Sequence, residues 1–129
     1  MPENVTPESD VAKKQNVAVL GGGSFGTAMA KVLGENGHTV HFWMRDEGQV
    51  EEIRSTRMNA RYMPDIILEG DILPTTDLAQ AVDSADVVFV AIPSKAFRSV
   101  IRDNKSVFKD DQIVVSLTKG IEQQGFKLM

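Results

Sequence analysis

The stretch VAVLGGGSFGTAMAKVL, residues 17–33, joins a short apolar run to a helical pattern through a glycine-rich turn. Residues 17–20 are uniformly apolar and end at glycine, which is typical of a strand buried on both faces. The apolar residues after the turn recur at helical spacing and predict one buried helix face, with Gly37 ending the helix. That predicted face consists of Phe25, Ala28, Met29, Val32 and Leu33. The stretch therefore predicts a strand–turn–helix unit.

The three glycines of this turn, Gly21, Gly23 and Gly26, have the spacing of a dinucleotide-binding loop. The first permits a tight turn, the second lets the backbone approach a pyrophosphate, and the third lets helix and strand pack closely. The N–H groups at the helix start then face the diphosphate. Because both flanks fit, we favour dinucleotide binding over a turn whose glycines are only structural.

Short apolar runs and helical patterns alternate along the rest of the chain. Further strands are predicted at 39–43, 72–76, 86–92 and 112–118, the last of them buried. Helices are predicted at 46–55, after an Asp77 N-cap, and after a Ser94 N-cap, where the apolar face extends to Val107 and Phe108. Pro74 limits its strand to a sheet edge, and residues 56–71 remain a loop excursion.

This alternation predicts an α/β fold, a doubly wound and mostly parallel Rossmann-like sheet. Residues 1–14 are polar and carry two prolines, so we expect a flexible N-terminal arm. The folded domain is then expected to occupy residues 15–129.

Composition excludes several classes of protein. The net charge of −4 disfavours nucleic-acid and anionic-membrane binding. The chain has no cysteine, which rules out disulfides and thiol catalysis and suits a reducing compartment. The start lacks the apolar segment of a signal peptide, and the run VVFVAI is too short to span a bilayer. A cytoplasmic protein is the expectation.

Two cations are candidate ligand contacts. In FWMRDE, Arg45 stands where NAD-preferring domains place an acidic residue, and arginine suits a 2′-phosphate. The expected cofactor is NADP or NAD, with NADP favoured, although a solvated charge flanking the helix is the alternative. Lys119 follows the fifth predicted strand. Two interpretations are open: its ammonium binds a phosphate or carboxylate, or it is an exposed loop lysine. The two histidines lack metal-ligand spacing, so no metal site is predicted.

Six stretches in order resemble the bacterial-type NAD(P)-dependent glycerol-3-phosphate dehydrogenases: GGGSFGTAMA, NGHTVHFWMRD, NARYMPD, TTDLAQAV, VVFVAIPS and SLTKGIE. The resemblance covers residues 16–122. It implies reversible hydride transfer between NAD(P)H and dihydroxyacetone phosphate, yielding sn-glycerol 3-phosphate for phospholipid synthesis. It also implies that the cofactor is bound by the three turn glycines and by Ser24, Phe25, Arg45, Tyr62, Pro93 and Lys119. Lys119 would in addition bind the phosphate substrate.

Members of that family carry a second, mostly helical domain with the lysine thought to act in proton transfer. The chain stops at Met129, so we expect an N-terminal fragment that ends before a sixth strand, holds no catalytic residue and is inactive alone. Two alternatives stay open: a ketopantoate reductase-like dehydrogenase, against which SLTKG and NARYMP weigh, and a non-catalytic dinucleotide-sensing module. Truncation would expose the edge of the strand at 112–118 and the interdomain face. We therefore expect self-association to a homo-oligomer through one of these surfaces.

Overall fold

A parallel sheet of five strands forms the centre of the molecule. The structure is a computed structural model and describes residues 14–103 and 105–116. The strands are β1 (Asn16–Leu20), β2 (Thr39–Trp43), β3 (Asp71–Thr75), β4 (Val87–Val90) and β5 (Ile113–Ser116). Their order is β3-β2-β1-β4-β5, and every pairing is parallel. The predicted doubly wound α/β architecture is confirmed.

Helices connect consecutive strands. They are α1 (Ser24–Glu35), α2 (Glu47–Thr56), α3 (Leu78–Asp83) and α4 (Ser94–Asp103), and a 3₁₀ turn follows at Lys105–Val107. Asp77 caps α3 as predicted, since its carboxylate accepts a hydrogen bond from the Gln80 N–H. The single apolar helix expected after Pro93 is wrong in extent, because α4 ends at Asp103 and Val107 belongs to the 3₁₀ turn. Ser94 is the first residue of α4 rather than the residue before it.

Two hydrophobic cores lie on opposite faces of the sheet. Val17 and Val19 of β1 pack on one face with residues of α1 and α2. Ala18 and Leu20 pack on the other face with residues of α3 and α4. Because alternate strand residues point to opposite faces, a strand between two cores must be apolar at every position, and VAVL meets that requirement.

The buried face of α1 matches the predicted one only in part. The residues that α1 buries are Gly26, Thr27, Ala30 and Gly34, whereas Phe25 and Val32 are 57% and 51% exposed. Small residues let the helix backbone approach the sheet closely, and a Cβ at Gly34 would lie 2.5 Å from the Glu69 carbonyl oxygen. Met29 and Leu33 of the predicted face do pack against the core. Hydrophobic spacing did not predict the most buried positions because they are packed by backbone rather than by large side chains.

The outer edge of β3 is closed by side chains of α2 and the residue that follows it. Arg57 donates to the carbonyls of Ile72 and Gly70 at 3.0 and 2.6 Å. Arg54 donates to the carbonyl of Pro74 at 3.3 Å, and Pro74 has no N–H to offer. The predicted edge strand is thus confirmed, one residue earlier than expected, and its edge is blocked against further strand pairing.

The opposite edge strand, β5, is less buried than predicted. Ile113 and Val114 are 60% and 45% exposed, because within the described sheet β5 pairs only with β4. Residues 117 and 118 of the predicted strand lie outside the described residues, as does the predicted arm apart from Lys14. Self-association through this edge stays a prediction. Within the described ranges, no helix has the length and apolar character needed to cross a membrane.

Candidate functional site

A cleft of about 460 Å³ opens at the carboxyl ends of β1, β2 and β4. Its walls come from segments 21–23, 44–46 and 91–93, which directly follow those strands, and from Arg61 and Tyr62 of the excursion after α2. The sheet order reverses between β1 and β4, and ligands of open α/β sheets bind at this switch point. The cleft therefore unites Gly21, Gly23, Arg45, Tyr62 and Pro93, which the sequence had proposed separately.

Gly21 and Gly26 are required by the fold itself. Gly21 has φ +122°, and a Cβ there would lie 2.5 Å from the Ala91 carbonyl oxygen. A Cβ at Gly26 would lie 1.8 Å from the carbonyl oxygen of Gly21. Since both clashes involve backbone atoms, neither position accepts a side chain without moving α1 or β4. These two glycines explain the tight turn and the close packing of α1.

Gly23 has no such requirement from the protein. Its φ of −84° and ψ of −159° are open to any residue, and a Cβ would meet no described atom within 4 Å. It is the N-cap of α1 without a side-chain cap, and the first turn of α1 carries no acidic residue. The start of α1 thus presents backbone N–H groups and a positive dipole end to the cleft, an arrangement that fits a diphosphate.

Ser24, Phe25, Gly26 and Lys119 stand apart from the cleft wall. Ser24 and Phe25 begin α1 and are exposed, but neither is among the residues that line the cleft. Gly26 lies behind the turn in contact with Gly21. Lys119 lies outside the described residues. Cofactor contact by Ser24, Phe25 and Lys119 stays a prediction.

Arg45 and Asp46 have different surroundings at the end of β2. Arg45 is exposed and lines the cleft two residues after Trp43. The carboxylate of Asp46 instead caps α2 and accepts hydrogen bonds from the N–H groups of Gly48 and Gln49, at 2.8 and 3.4 Å. The Asp46 carboxylate therefore caps α2 through Oδ1, and Asp46 lines the cleft beside Arg45.

The sequence reasoning missed Arg61, Gln49 and Asn59. Arg61 lines the cleft, and its guanidinium lies 5.5 Å from the centre of the Tyr62 ring, within cation–π range. Gln49 lines the cleft from α2, and Asn59 is fully buried behind it. Arg61 and Asn59 had a usable signal, since both stand in the stretch NARYMPD with Tyr62. Gln49 had none, because its role depends on contacts distant in sequence.

Comparison with known proteins identifies the same family. The family model for the N-terminus of NAD-dependent glycerol-3-phosphate dehydrogenase matches residues 16–129. The glycerol-3-phosphate dehydrogenase [NAD(P)+] of Pseudomonas syringae is 52% identical over 116 residues, which cover 90% of this chain and 34% of that enzyme. The enzyme of Pseudomonas aeruginosa is 46% identical over 119 residues, which cover 92% of this chain and 35% of that enzyme. The chain thus spans about a third of the length of these curated relatives.

Solved structures agree with this result. A glycerol-3-phosphate dehydrogenase from Coxiella burnetii superposes with a TM-score of 0.77 and 31% identity, over 83% of this chain and 33% of that one. A ketopantoate reductase from Ralstonia eutropha has a TM-score of 0.67 at 22% identity, over 85% of this chain and 35% of that one, and shares the fold alone. The sequence, the cleft and the family model therefore agree, and the chain belongs to the family of the NAD-dependent glycerol-3-phosphate dehydrogenase N-terminus.

Proposed function

We propose that this chain is the cofactor-binding part of an oxidoreductase that interconverts dihydroxyacetone phosphate and sn-glycerol 3-phosphate with NAD(P)H, with NADPH preferred. When bound, the nicotinamide cofactor supplies or accepts the hydride. The residues of this chain hold and orient the cofactor. The substrate and the reaction are proposed from family membership, since the chain spans about a third of its relatives.

Gly23 is the observation that carries the proposal. The fold demands glycine at positions 21 and 26, but residues 14–103 and 105–116 place no demand at position 23. A glycine that no described atom requires, at the uncapped start of a helix in a cleft, is explained by close approach of a ligand to the backbone. The backbone N–H groups there would hold the diphosphate.

Cation placement supports a preference for NADPH. Arg45, exposed at the cleft, would pair with a 2′-phosphate through its planar guanidinium, and the neighbouring Asp46 caps α2 through Oδ1. Arg61 adds a second positive charge to the same cleft, and Tyr62 and Pro93, which also line it, would contact the cofactor.

The remaining roles follow from the resemblance. Lys119 would bind the substrate phosphate near the reacting centre. Carbonyl reduction also needs a general acid within hydrogen-bond reach of the substrate oxygen, and we assign that group to the part of the relatives that this chain does not span. A cytoplasmic location is proposed from the absence of cysteine.

Calorimetric titration of the chain with NADPH and with NADH tests this function. We expect Arg45→Ala to weaken NADPH binding by roughly 10- to 100-fold, because it removes a charge-assisted pair, and to leave NADH binding nearly unchanged. Arg98→Ala is the matched control, since Arg98 is exposed on α4 and is not among the residues lining the cleft. Wild-type protein that binds neither cofactor would contradict the proposal.

A further inference from the structure

The described part of the chain buries two polar side chains completely, and they bond to each other. Thr27 and Asn59 are both 0% exposed, and the Asn59 amide nitrogen donates to the Thr27 hydroxyl at 2.8 Å. Thr27 belongs to the first turns of α1, whereas Asn59 lies 32 residues later in the excursion after α2. A fully buried polar pair is costly unless each group finds a partner, so its location is informative.

The partners of this pair are the backbone carbonyls of the glycine turn. The Asn59 amide nitrogen also donates to the Gly22 carbonyl at 3.1 Å, and Gln49 Nε2 donates to the same carbonyl at 2.7 Å. The Thr27 hydroxyl donates to the Gly23 carbonyl at 2.7 Å. Gln49 Nε2 also lies 3.1 Å from the Asn59 side-chain oxygen, which closes the network.

Holding these two carbonyls determines where the neighbouring amides point. In a trans peptide the C=O of one residue and the N–H of the next point in opposite directions, and the bonds of this turn are trans. A Gly22 carbonyl held against Asn59 and Gln49 therefore directs the Gly23 N–H to the opposite side of the turn. In the same way, the Gly23 carbonyl bonded to Thr27 directs the Ser24 N–H away from the protein interior.

We infer that Asn59, with Gln49, is a positioning residue for the diphosphate site: it holds the glycine turn with its N–H groups aimed at the ligand before the ligand arrives. This inference rests on the proposed function for the identity of the ligand. Asn59 itself contacts the backbone and not the cofactor. Its effect is preorganisation, because amides already aimed at an anion need no rearrangement on binding.

The excursion after α2 supplies a hydrogen-bond donor that holds the glycine turn. Glycine-rich turns are conformationally permissive, and the Gly21-Gly22-Gly23 run has no side chains of its own to fix its conformation. The excursion brings an amide that supplies two donors from one nitrogen to Gly22 and Thr27. A leucine or methionine at position 59 would fill the space and leave both acceptors without this donor.

Asn59→Asp tests the inference, since it keeps the side-chain shape and replaces the donating NH₂ by an acceptor. The probes are NADPH, which carries the diphosphate, and 2′-AMP, which has the adenosine and 2′-phosphate but no diphosphate. We expect Asn59→Asp to weaken NADPH binding by about tenfold or more and to leave 2′-AMP binding nearly unchanged. A general loss of structure would instead weaken the binding of NADPH and of 2′-AMP together.

Asn36→Asp is the matched control. The Asn36 amide also donates to a backbone carbonyl, that of Val32 at 2.7 Å, but it lies at the far end of α1 and is exposed. The Asn36→Asp variant should keep the ratio of its NADPH affinity to its 2′-AMP affinity at the wild-type value. If Asn59→Asp fails to fold by circular dichroism, Gln49→Met decides, because Gln49 is only half-buried and its removal takes one donor from Gly22.

A ligand-free measurement separates this inference from the proposed function. Backbone order parameters from ¹⁵N relaxation should be near 0.85, roughly the value for rigid backbone, at Gly22 and Gly23 in the wild type and clearly lower in the folded variant. Unchanged order parameters, or equal loss of NADPH and 2′-AMP affinity, would overturn the positioning role. Wild-type protein with an ordered turn that binds no NADPH would refute the proposed function and leave the network's effect on the turn established.

Discussion

Replacing Gly23 by alanine separates the binding role of the glycine turn from its folding role. The new Cβ would meet no described atom within 4 Å, at backbone angles that alanine adopts freely. Alanine is a poorer N-cap than glycine, but it also lowers the entropy of the unfolded chain. Because these two effects oppose each other, we expect the free energy of unfolding to change by less than about 1 kcal/mol.

Cofactor binding should respond differently. The methyl group would stand between the start of α1 and an approaching diphosphate and would weaken charge-assisted hydrogen bonds worth about 1.5–3 kcal/mol. That corresponds to a dissociation constant for NADPH raised by roughly 10- to 100-fold. Calorimetric titration gives the binding change, and urea unfolding gives the stability change.

Gly26→Ala is the matched comparison, since it makes the same chemical change three residues later. Its Cβ would lie 1.8 Å from the Gly21 carbonyl oxygen, so we expect a loss of stability of about 3 kcal/mol or more. Gly23→Ala that binds NADPH as wild type does would refute the reasoning, because the open space at Gly23 would then have no bearing on a ligand. Equal destabilisation by both variants would refute the geometric part.

The remaining predictions concern stability and association. Gly34→Ala should lower the free energy of unfolding in urea by about 2–3 kcal/mol, because its Cβ would lie 2.5 Å from a backbone oxygen. Alanine is the better helix former, so a stabilised variant would contradict this packing. Asp77→Ala should cost about 1 kcal/mol by removing the N-cap of α3, and no change in urea unfolding would mean that the cap is not needed. In sedimentation, Arg57→Ala should associate more strongly than wild type, since it uncovers the β3 edge. Ile113→Lys should associate less strongly, since it adds a charge to the exposed β5 edge, and identical association in all three proteins would count against both edges as contact surfaces.

Local patterns predicted the elements of this fold well. The uniformly apolar run at 17–20 became a strand between two cores, and Pro74 fell on an edge strand as its missing N–H requires. The prediction failed where packing does not follow hydrophobicity, since α1 turns Gly26, Ala30 and Gly34 to the sheet and leaves Phe25 exposed. Backbone-to-backbone approach has no hydrophobic signature.

The sequence by itself determined the parallel α/β fold, the glycine turn after the first strand and the arginine at the end of the second, because each is encoded within a few consecutive residues. Tertiary structure alone decided which glycines serve the fold and which is left open, and it brought the amides of Gln49 and Asn59 to the Gly22 carbonyl, 27 and 37 residues away. The physical reason is that the donors to this partly buried carbonyl come from residues distant in sequence. Their arrival depends on the packing of α2 against β3 and on the course of the excursion after α2.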